Sequence, residues 1–214
     1  MIYLKEYNNY DNEVAEICNF YEIQNWSIRD GLVDVDDDVE LSSIDLTELP
    51  LKFGIVSGSF NCSYNDLTSL KGSPKKVGGD FSCSRNYLTS LIGGPTEVGD
   101  GFDCSQNNLT SLKGAPKEVN HFDCSKNKLK SLEHSPEIIN SNLFCSYNGL
   151  KTLEHFPKVK LGIYLTNNPL PKEILSLSVF EIKKVIEEQD FYEIWRDGEL
   201  FLPRWRELKI DIGI

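Results

Sequence analysis

The chain lacks long apolar segments. None of its apolar runs reaches the roughly 18–20 residues that a membrane-spanning helix requires. Its first residues, Met1 to Glu6, also lack the basic-then-apolar layout of a secretory signal peptide. We therefore expect a cytoplasmic protein that does not have a membrane as a partner.

Positive charge is also scarce. The 214 residues include 22 lysines and arginines against 33 aspartates and glutamates, so the net charge is −11. Nearly all of this excess lies in residues 1–58, which carry a net charge of −10. Direct binding to nucleic acid requires a basic surface and is not expected. Two interpretations of the acidic region stay open: a solvated cap, or a contact surface for a basic partner.

Patterns typical of metal sites and catalysis are missing. The six cysteines include no Cys-x-x-Cys pair, and the three histidines fall at unrelated positions. The acidic run 34–40 lacks the glycine and glutamate of a calcium-binding EF-hand loop, which favours acids on the solvent face of a strand. Gly78-Gly79 does not continue into a phosphate-binding loop. We expect no enzyme activity, no cofactor and no metal.

What the chain does contain is an internal repeat. Five cysteines are separated by 21, 21, 20 and 21 residues, and each lies in the pattern apolar-x-Cys-Ser-x-Asn-x-Leu-x-x-Leu. Degenerate copies around Leu41 and Leu165 flank the five, so residues 39–170 hold about seven repeats. A stacked array with atypical terminal copies produces this pattern. The repeat cysteines are Cys62, Cys83, Cys104, Cys124 and Cys145.

Each repeat position has a predicted physical role. Alternation places Phe81 and Cys83 on the inner face of a short strand, and Leu88 and Leu91 close the core from the far side. Because the cysteines belong to this core, we expect them to be reduced and inert. A proline follows each of the five copies, and segments such as Lys71-Gly72-Ser73-Pro74 predict an extended or turn-like return path. A ladder of buried amides should satisfy backbone groups at the turn: Asn65, Asn86, Asn107, Asn127, Asn148 and Asn168.

On these residues, 39–170 resemble the leucine-rich-repeat family, although Gly78 stands where its first leucine would be. The amino-acid pattern of the repeat resembles those of leucine-rich-repeat proteins predicted in tailed bacteriophages and of the arrays of bacterial effectors. The resemblance implies a leucine-rich-repeat solenoid, with a parallel β-sheet on its concave face and a largely helix-free convex face. The family is a generic binding scaffold, which implies a protein partner.

The ends of the array are expected to be capped. Residues 1–38 predict an α/β N-terminal cap, with a helix over 11–21 that begins at Asp11 and a hairpin that turns at Asp30-Gly31. The helix presents an apolar face made by Val14, Ile17, Cys18 and Tyr21.

Residues 171–214 predict an α-helical C-terminal cap. Apolar residues recur with helical spacing over 178–195, among them Phe191, and Asp197-Gly198 then turns the chain. A last short helix is predicted from Pro203 and carries Trp205, Leu208 and Ile210.

Residues between the core positions of each strand, and those two after each cysteine, should face outward and form the binding surface. They vary between copies whose core positions repeat almost identically. Three aromatics cluster toward the C-terminal end, where they either anchor a partner or pack against the C-terminal helices. The candidate partner-binding residues are Glu40, Asn61, Tyr64, Ser82, Arg85, Asp103, Gln106, Asp123, Lys126, Phe144, Tyr147 and Tyr164.

The leading functional hypothesis is therefore a non-catalytic protein-binding scaffold, encoded by a phage and acting on a bacterial host protein. One alternative is a counter-defence inhibitor whose acidic N-terminal region imitates nucleic acid. Another is a structural component of a virion or adhesin. The oligomeric state stays open.

Overall fold

The structure is a computed structural model that describes residues 2–214, with side chains described from residue 10 onward. The chain begins with helix α1 (Ile2–Phe20) and an antiparallel hairpin of β1 (Trp26–Arg29) and β2 (Leu32–Val35). The hairpin turns at Asp30-Gly31, as predicted, with both residues at positive φ.

Helix α1 corrects one boundary. It starts before Asp11, so that residue lies inside the helix and is not its N-cap. No glycine or proline precedes Asp11 to stop the helix, which explains the earlier start. The predicted apolar face is confirmed, because Val14 and Cys18 are buried and Ile17 and Tyr21 pack beside them.

The repeated segment is a parallel β-solenoid in which coils of about 21 residues stack on one another. A sheet of seven parallel strands runs along the stack. Its strands are β3 (Val39–Glu40), β5 (Phe60–Asn61), β7 (Phe81–Ser82), β9 (Gly101–Asp103), β11 (His121–Asp123), β13 (Leu143–Phe144) and β15 (Ile163–Tyr164).

Further short strands lie just before those of the seven-stranded sheet, where the sequence predicted extended or turn-like chain. Each coil repeats the last, so its backbone groups fall in register with the next: Gly78 N–H donates to the Val56 carbonyl at 2.9 Å. The hairpin strands join β4 (Phe53–Val56), β6 (Lys76–Val77) and β8 (Glu97–Val98), while β10 (Glu118–Val119), β12 (Ile138–Ile139) and β14 (Lys158–Val159) form a separate sheet.

Gly78, which stands where a leucine was expected, marks a tight corner between these two kinds of strand. A Cβ atom there would collide with the Ser57 carbonyl of the preceding coil, and one at Gly99 would collide with Gly78. Close stacking of backbones at the corner therefore requires a residue without a side chain.

The core is a set of parallel columns, one for each repeated apolar position. Ring centroids of Phe60, Phe81, Phe102 and Phe122 follow one another at 5.8, 5.0 and 5.7 Å. All five repeat cysteines are buried with free thiols, as predicted. Fully burying one large apolar side chain contributes about 1.5–3 kcal/mol, so the columns supply the main driving force for stacking.

The predicted asparagine ladder is confirmed. The Asn107 Oδ1 atom accepts from Leu88 N–H at 3.0 Å, and its Nδ2 donates to the carbonyls of Cys83, Cys104 and Ser105 at 3.0–3.2 Å. All six ladder asparagines accept from the preceding coil and donate to carbonyls of both coils. Each amide thus joins two coils through backbone groups that have no sheet partner.

The C-terminal cap contains more than the predicted helices. A short helix α2 (Lys172–Leu175) precedes α3 (Val179–Tyr192), which Ser178 and Glu181 begin with a capping box. A hairpin of β16 (Trp195–Arg196) and β17 (Glu199–Leu200) then leads into α4 (Leu202–Ile212).

Trp205 and Leu208 are buried, whereas Phe191 and Ile210, which belong to the same apolar patterns, are exposed. Two residues correspond to about 200° around a helix, so Ile210 points away from buried Leu208. Phe191 likewise points away from Gln189, whose amide donates to the Leu153 carbonyl at 2.8 Å and accepts from Trp195 at 2.7 Å. Gln189, a polar residue, therefore occupies a buried position on this helix, whereas the apolar Phe191 does not.

We expect Asn107→Ala to lower the free energy of unfolding by about 1–3 kcal/mol, because it leaves buried backbone groups without partners. Urea denaturation would measure the change. Asn108→Ala is the matched control, since the side chain of Asn108 makes no hydrogen bond within the described residues. Equal stability of both variants would contradict the proposed role of the ladder.

Candidate functional site

The outward residues of the seven-stranded sheet lie side by side in one row. This row, called the strand column, follows the sheet register from one strand to the next. Its members are Glu40, Asn61, Ser82, Asp103, Asp123, Phe144 and Tyr164. The structure therefore brings together on one face the predicted residues from all seven copies.

Four side chains of the strand column also cap the backbone. In each case an oxygen accepts from the N–H of the serine two residues later. The capped pairs and their O···N distances are Glu40–Ser42 (2.8 Å), Asn61–Ser63 (3.1 Å), Asp103–Ser105 (2.9 Å) and Asp123–Ser125 (2.8 Å). A short acceptor at this position thus stabilises the end of the strand, a role that residue variation alone did not reveal.

Asp123 is a partly buried acid near the middle of the strand column. Burial raises the pKa of its carboxyl above the ordinary value, the hydrogen bonds from Ser125 oppose this rise, and the adjacent Asp103 carboxylate adds to it. Lys126 is the nearby cation and lowers this pKa. The middle of the face therefore carries concentrated, partly desolvated negative charge.

The second predicted row, called the turn column, lies where each strand ends. All of its members have left-handed backbone conformations, with φ between 52° and 58°. They are Ser43, Tyr64, Arg85, Gln106, Lys126, Tyr147 and Asn167. This conformation costs a residue with a side chain about 1–2 kcal/mol, and glycine would adopt it freely. The sequence carries no direct signal for it, because the expected glycine is absent.

Neighbouring side chains of the turn column contact one another. The Arg85 guanidinium lies 4.5 Å from the centroid of the Tyr64 ring, and the Lys126 ammonium lies 6.0 Å from that of Tyr147. With its amide oxygen turned toward Arg85, Gln106 accepts from Nε at 3.1 Å and from Nη2 at 3.2 Å. These contacts restrict the conformations of long exposed side chains.

Aromatic residues dominate the C-terminal end of the face. The rings of Phe144 and Tyr164 stack with centroids 4.6 Å apart and planes 7° apart. Tyr147 is 54% exposed and Tyr164 is 50% exposed. The alternative that the C-terminal helices cover this cluster is therefore wrong for both tyrosines. Helix α3 contacts the solenoid at another place, where the Lys183 ammonium donates to the Lys160 carbonyl.

Aspartates of the acidic run 34–40 join the first coil to the second. Their carboxylates accept hydrogen bonds from the coil that follows, and the bonds are Ile55 N–H to Asp34 (2.7 Å), Ser57 Oγ to Asp36 (2.8 Å) and Ser59 N–H to Asp38 (2.7 Å). Fewer of these carboxylates are therefore free to imitate a phosphate backbone.

No cluster of three or more metal-ligating side chains occurs among the described residues. Burial raises the pKa of the Cys62 thiol to about 12, and it raises those of Cys83, Cys104 and Cys124 well above the ordinary value of 9.0. A thiol that stays protonated is a poor nucleophile and a poor metal ligand.

Comparison with known proteins adds no assignment, because no protein family matches the chain and no curated protein matches its sequence. Among residues 2–214, every helix is too short or too polar to cross a bilayer.

We expect Asp123→Ala to lower the free energy of unfolding by about 1 kcal/mol, because the substitution removes the cap on Ser125. Asp123→Asn keeps an acceptor oxygen and should stay close to wild type in stability. Thermal or urea unfolding of the two variants would measure the difference. Equal losses for alanine and asparagine would show that charge, and not the cap, is what Asp123 contributes.

The buried thiols predict a loss of stability at alkaline pH. A thiol whose pKa is raised by folding stabilises the native state fully below the unfolded value of 9.0, and this contribution is lost as the pH rises toward the folded value, about 12 for Cys62. Each such cysteine should lower the free energy of unfolding by about 1.4 kcal/mol per pH unit in that window.

Removing one thiol should flatten this dependence. Cys104→Val should reduce the slope of unfolding free energy against pH by about 1.4 kcal/mol per unit. Val119→Ala is the control, since it disturbs the same core without removing a titrating group. An unchanged slope in Cys104→Val would contradict the buried, protonated state of that thiol.

Proposed function

We propose that this protein is a non-catalytic binding scaffold that recognises another protein through the outward face of its seven-stranded sheet. The strand column and the turn column together form the contact surface. Seven strands span about 29 Å at the usual separation of 4.8 Å, which is long enough for an interface of standard size. The exposed aromatics supply side chains of the kind that dominate binding energy.

One observation carries the proposal. The turn column places Tyr64, Arg85, Gln106, Lys126 and Tyr147 at left-handed positions where glycine would remove backbone strain. Each of these side chains is retained at a cost in stability. Strained residues held in place by a rigid framework are typical of functional sites. Packing does not explain these residues, because Tyr64 and Tyr147 remain about half exposed.

The finer classification belongs to the same proposal. The spacing of apolar residues and the asparagine ladder support a leucine-rich-repeat type of coil, whose sheet face is the binding surface. The resemblance to phage and effector sequences suggests a bacterial protein as the partner. Among the described residues the face combines an acidic centre with an aromatic end, which favours a partner with exposed basic and apolar groups.

The strain at Tyr147 allows a test that separates binding from folding. Tyr147→Gly removes the ring and relieves the left-handed conformation, so its stability should equal or exceed that of wild type by up to about 1 kcal/mol. Capture from bacterial lysate on the immobilised variant should nevertheless lose the protein that wild type retains. Tyr87→Ala is the matched control, because Tyr87 is exposed to a similar extent, 56%, but lies outside both columns.

The outcomes distinguish the competing hypotheses. A protein retained by wild type and by Tyr87→Ala but lost by Tyr147→Gly supports the proposal that the sheet face is the contact surface. Retention by all three variants would contradict it. If the captured protein processes nucleic acid and salt releases it from all three variants alike, the acidic N-terminal region is the contact and the counter-defence alternative takes the place of this proposal.

A further inference from the structure

Helix α3 carries a stripe of side chains on its outer side, and the two ends of this stripe are exposed. Phe180 is 68% exposed and Phe191 is 80% exposed. Lys184 and Glu187 lie between them on the same side of the helix, and the opposite side, with Ile182, Val185 and Gln189, is buried against the solenoid. Phe180 and Phe191 are separated by eleven residues, or about 16 Å along the helix.

The spacing of this stripe is that of a helix-pairing seam. Its four residues follow one another at intervals of four, three and four, which are the intervals of the a and d positions in a coiled coil. The exposed phenylalanines at both ends of this seam would bury apolar surface if a second helix packed against them. The seam is therefore suited to packing against a second helix.

Charge and spacing together identify the second helix. When two copies of the stripe are placed antiparallel with Phe180 opposite Phe191, Lys184 of each copy lies opposite Glu187 of the other. The stripe is thus complementary to itself in charge, and its apolar ends face each other. A parallel arrangement would instead place Lys184 against Lys184 and Glu187 against Glu187, and this repulsion disfavours it.

We infer that the protein forms a two-fold symmetric dimer through antiparallel pairing of its α3 helices. A self-complementary patch is what a two-fold interface requires. The Lys184 ammonium is already held in the stripe, 4.9 Å from the centroid of the Phe180 ring and 2.8 Å from the Ile212 carbonyl. It retains donors for Glu187 of the second copy.

The inferred interface is small. Four side chains from each copy, with their flanks, fall at the low end of interface sizes, so we expect a dissociation constant in the micromolar range. The charged pair at the centre of the seam selects orientation and register more than it adds affinity. The dimer should therefore form at high concentration and dissociate on dilution.

The experiment is sedimentation velocity over a concentration series of wild type and single-charge variants. Lys184→Glu places two acids at the centre of the seam and Glu187→Lys places two bases there, so each variant alone should be monomeric. An equimolar mixture should associate again, because each copy then offers the charge that the other lacks. Phe180→Ala/Phe191→Ala should weaken association at least tenfold.

The mixture distinguishes loss of the interface from loss of the fold, since misfolded variants would not restore association when mixed. Circular dichroism of each variant checks that the helices are retained. Wild type that stays monomeric at the highest concentration would overturn the inference. So would a mixture that stays monomeric, or a double phenylalanine variant that associates like wild type.

Discussion

Satisfaction of backbone groups between coils is the constraint on which this structure depends. Strands of two or three residues leave most of each coil without a sheet partner, and buried N–H and C=O groups without partners are costly. The asparagine ladder solves this at the turn after each strand, where one amide serves the carbonyls of two coils. Because a carboxylate has no N–H to donate, Asp cannot replace Asn here, and one residue type recurs from Asn65 to Asn168.

The same constraint explains which parts of the fold the sequence predicts. Repetition makes the core predictable, because the positions of Phe81, Cys83, Leu88 and Leu91 are filled by apolar residues in each of the five copies. The second set of strands was not predicted, because a pair of residues such as Lys76–Val77 is a strand only through its pairing with the equivalent pairs of the adjacent coils. The caps lack repetition, so the sequence placed the start of helix α1 wrongly at Asp11, and helical spacing did not show that Phe191 and Ile210 are exposed.

The proposed binding face shows a similar division. Sequence variation located both columns, and the register of the sheet aligns the strand column. Sequence variation could not distinguish the positions that cap the backbone from positions without such a constraint, because capping depends on backbone geometry. Asp103 and Asp123 are restricted to short acceptors, whereas Tyr64 and Tyr147 hold conformations that glycine would adopt more easily. The turn column is therefore the stronger candidate for recognition, and the strand column contributes mainly its aromatic end.

The two proposed contact surfaces lie on different elements, and this affects how they would act together. Residues of the sheet face and those of the α3 stripe are distinct, so a partner on the face does not have to displace a second copy from the helix. A dimer would then carry two binding faces. Linking two weak sites raises the overall affinity for a partner that is itself repeated or oligomeric, without any new contact. A micromolar dimer makes this gain depend on concentration, so the scaffold would bind such a partner most tightly where it accumulates.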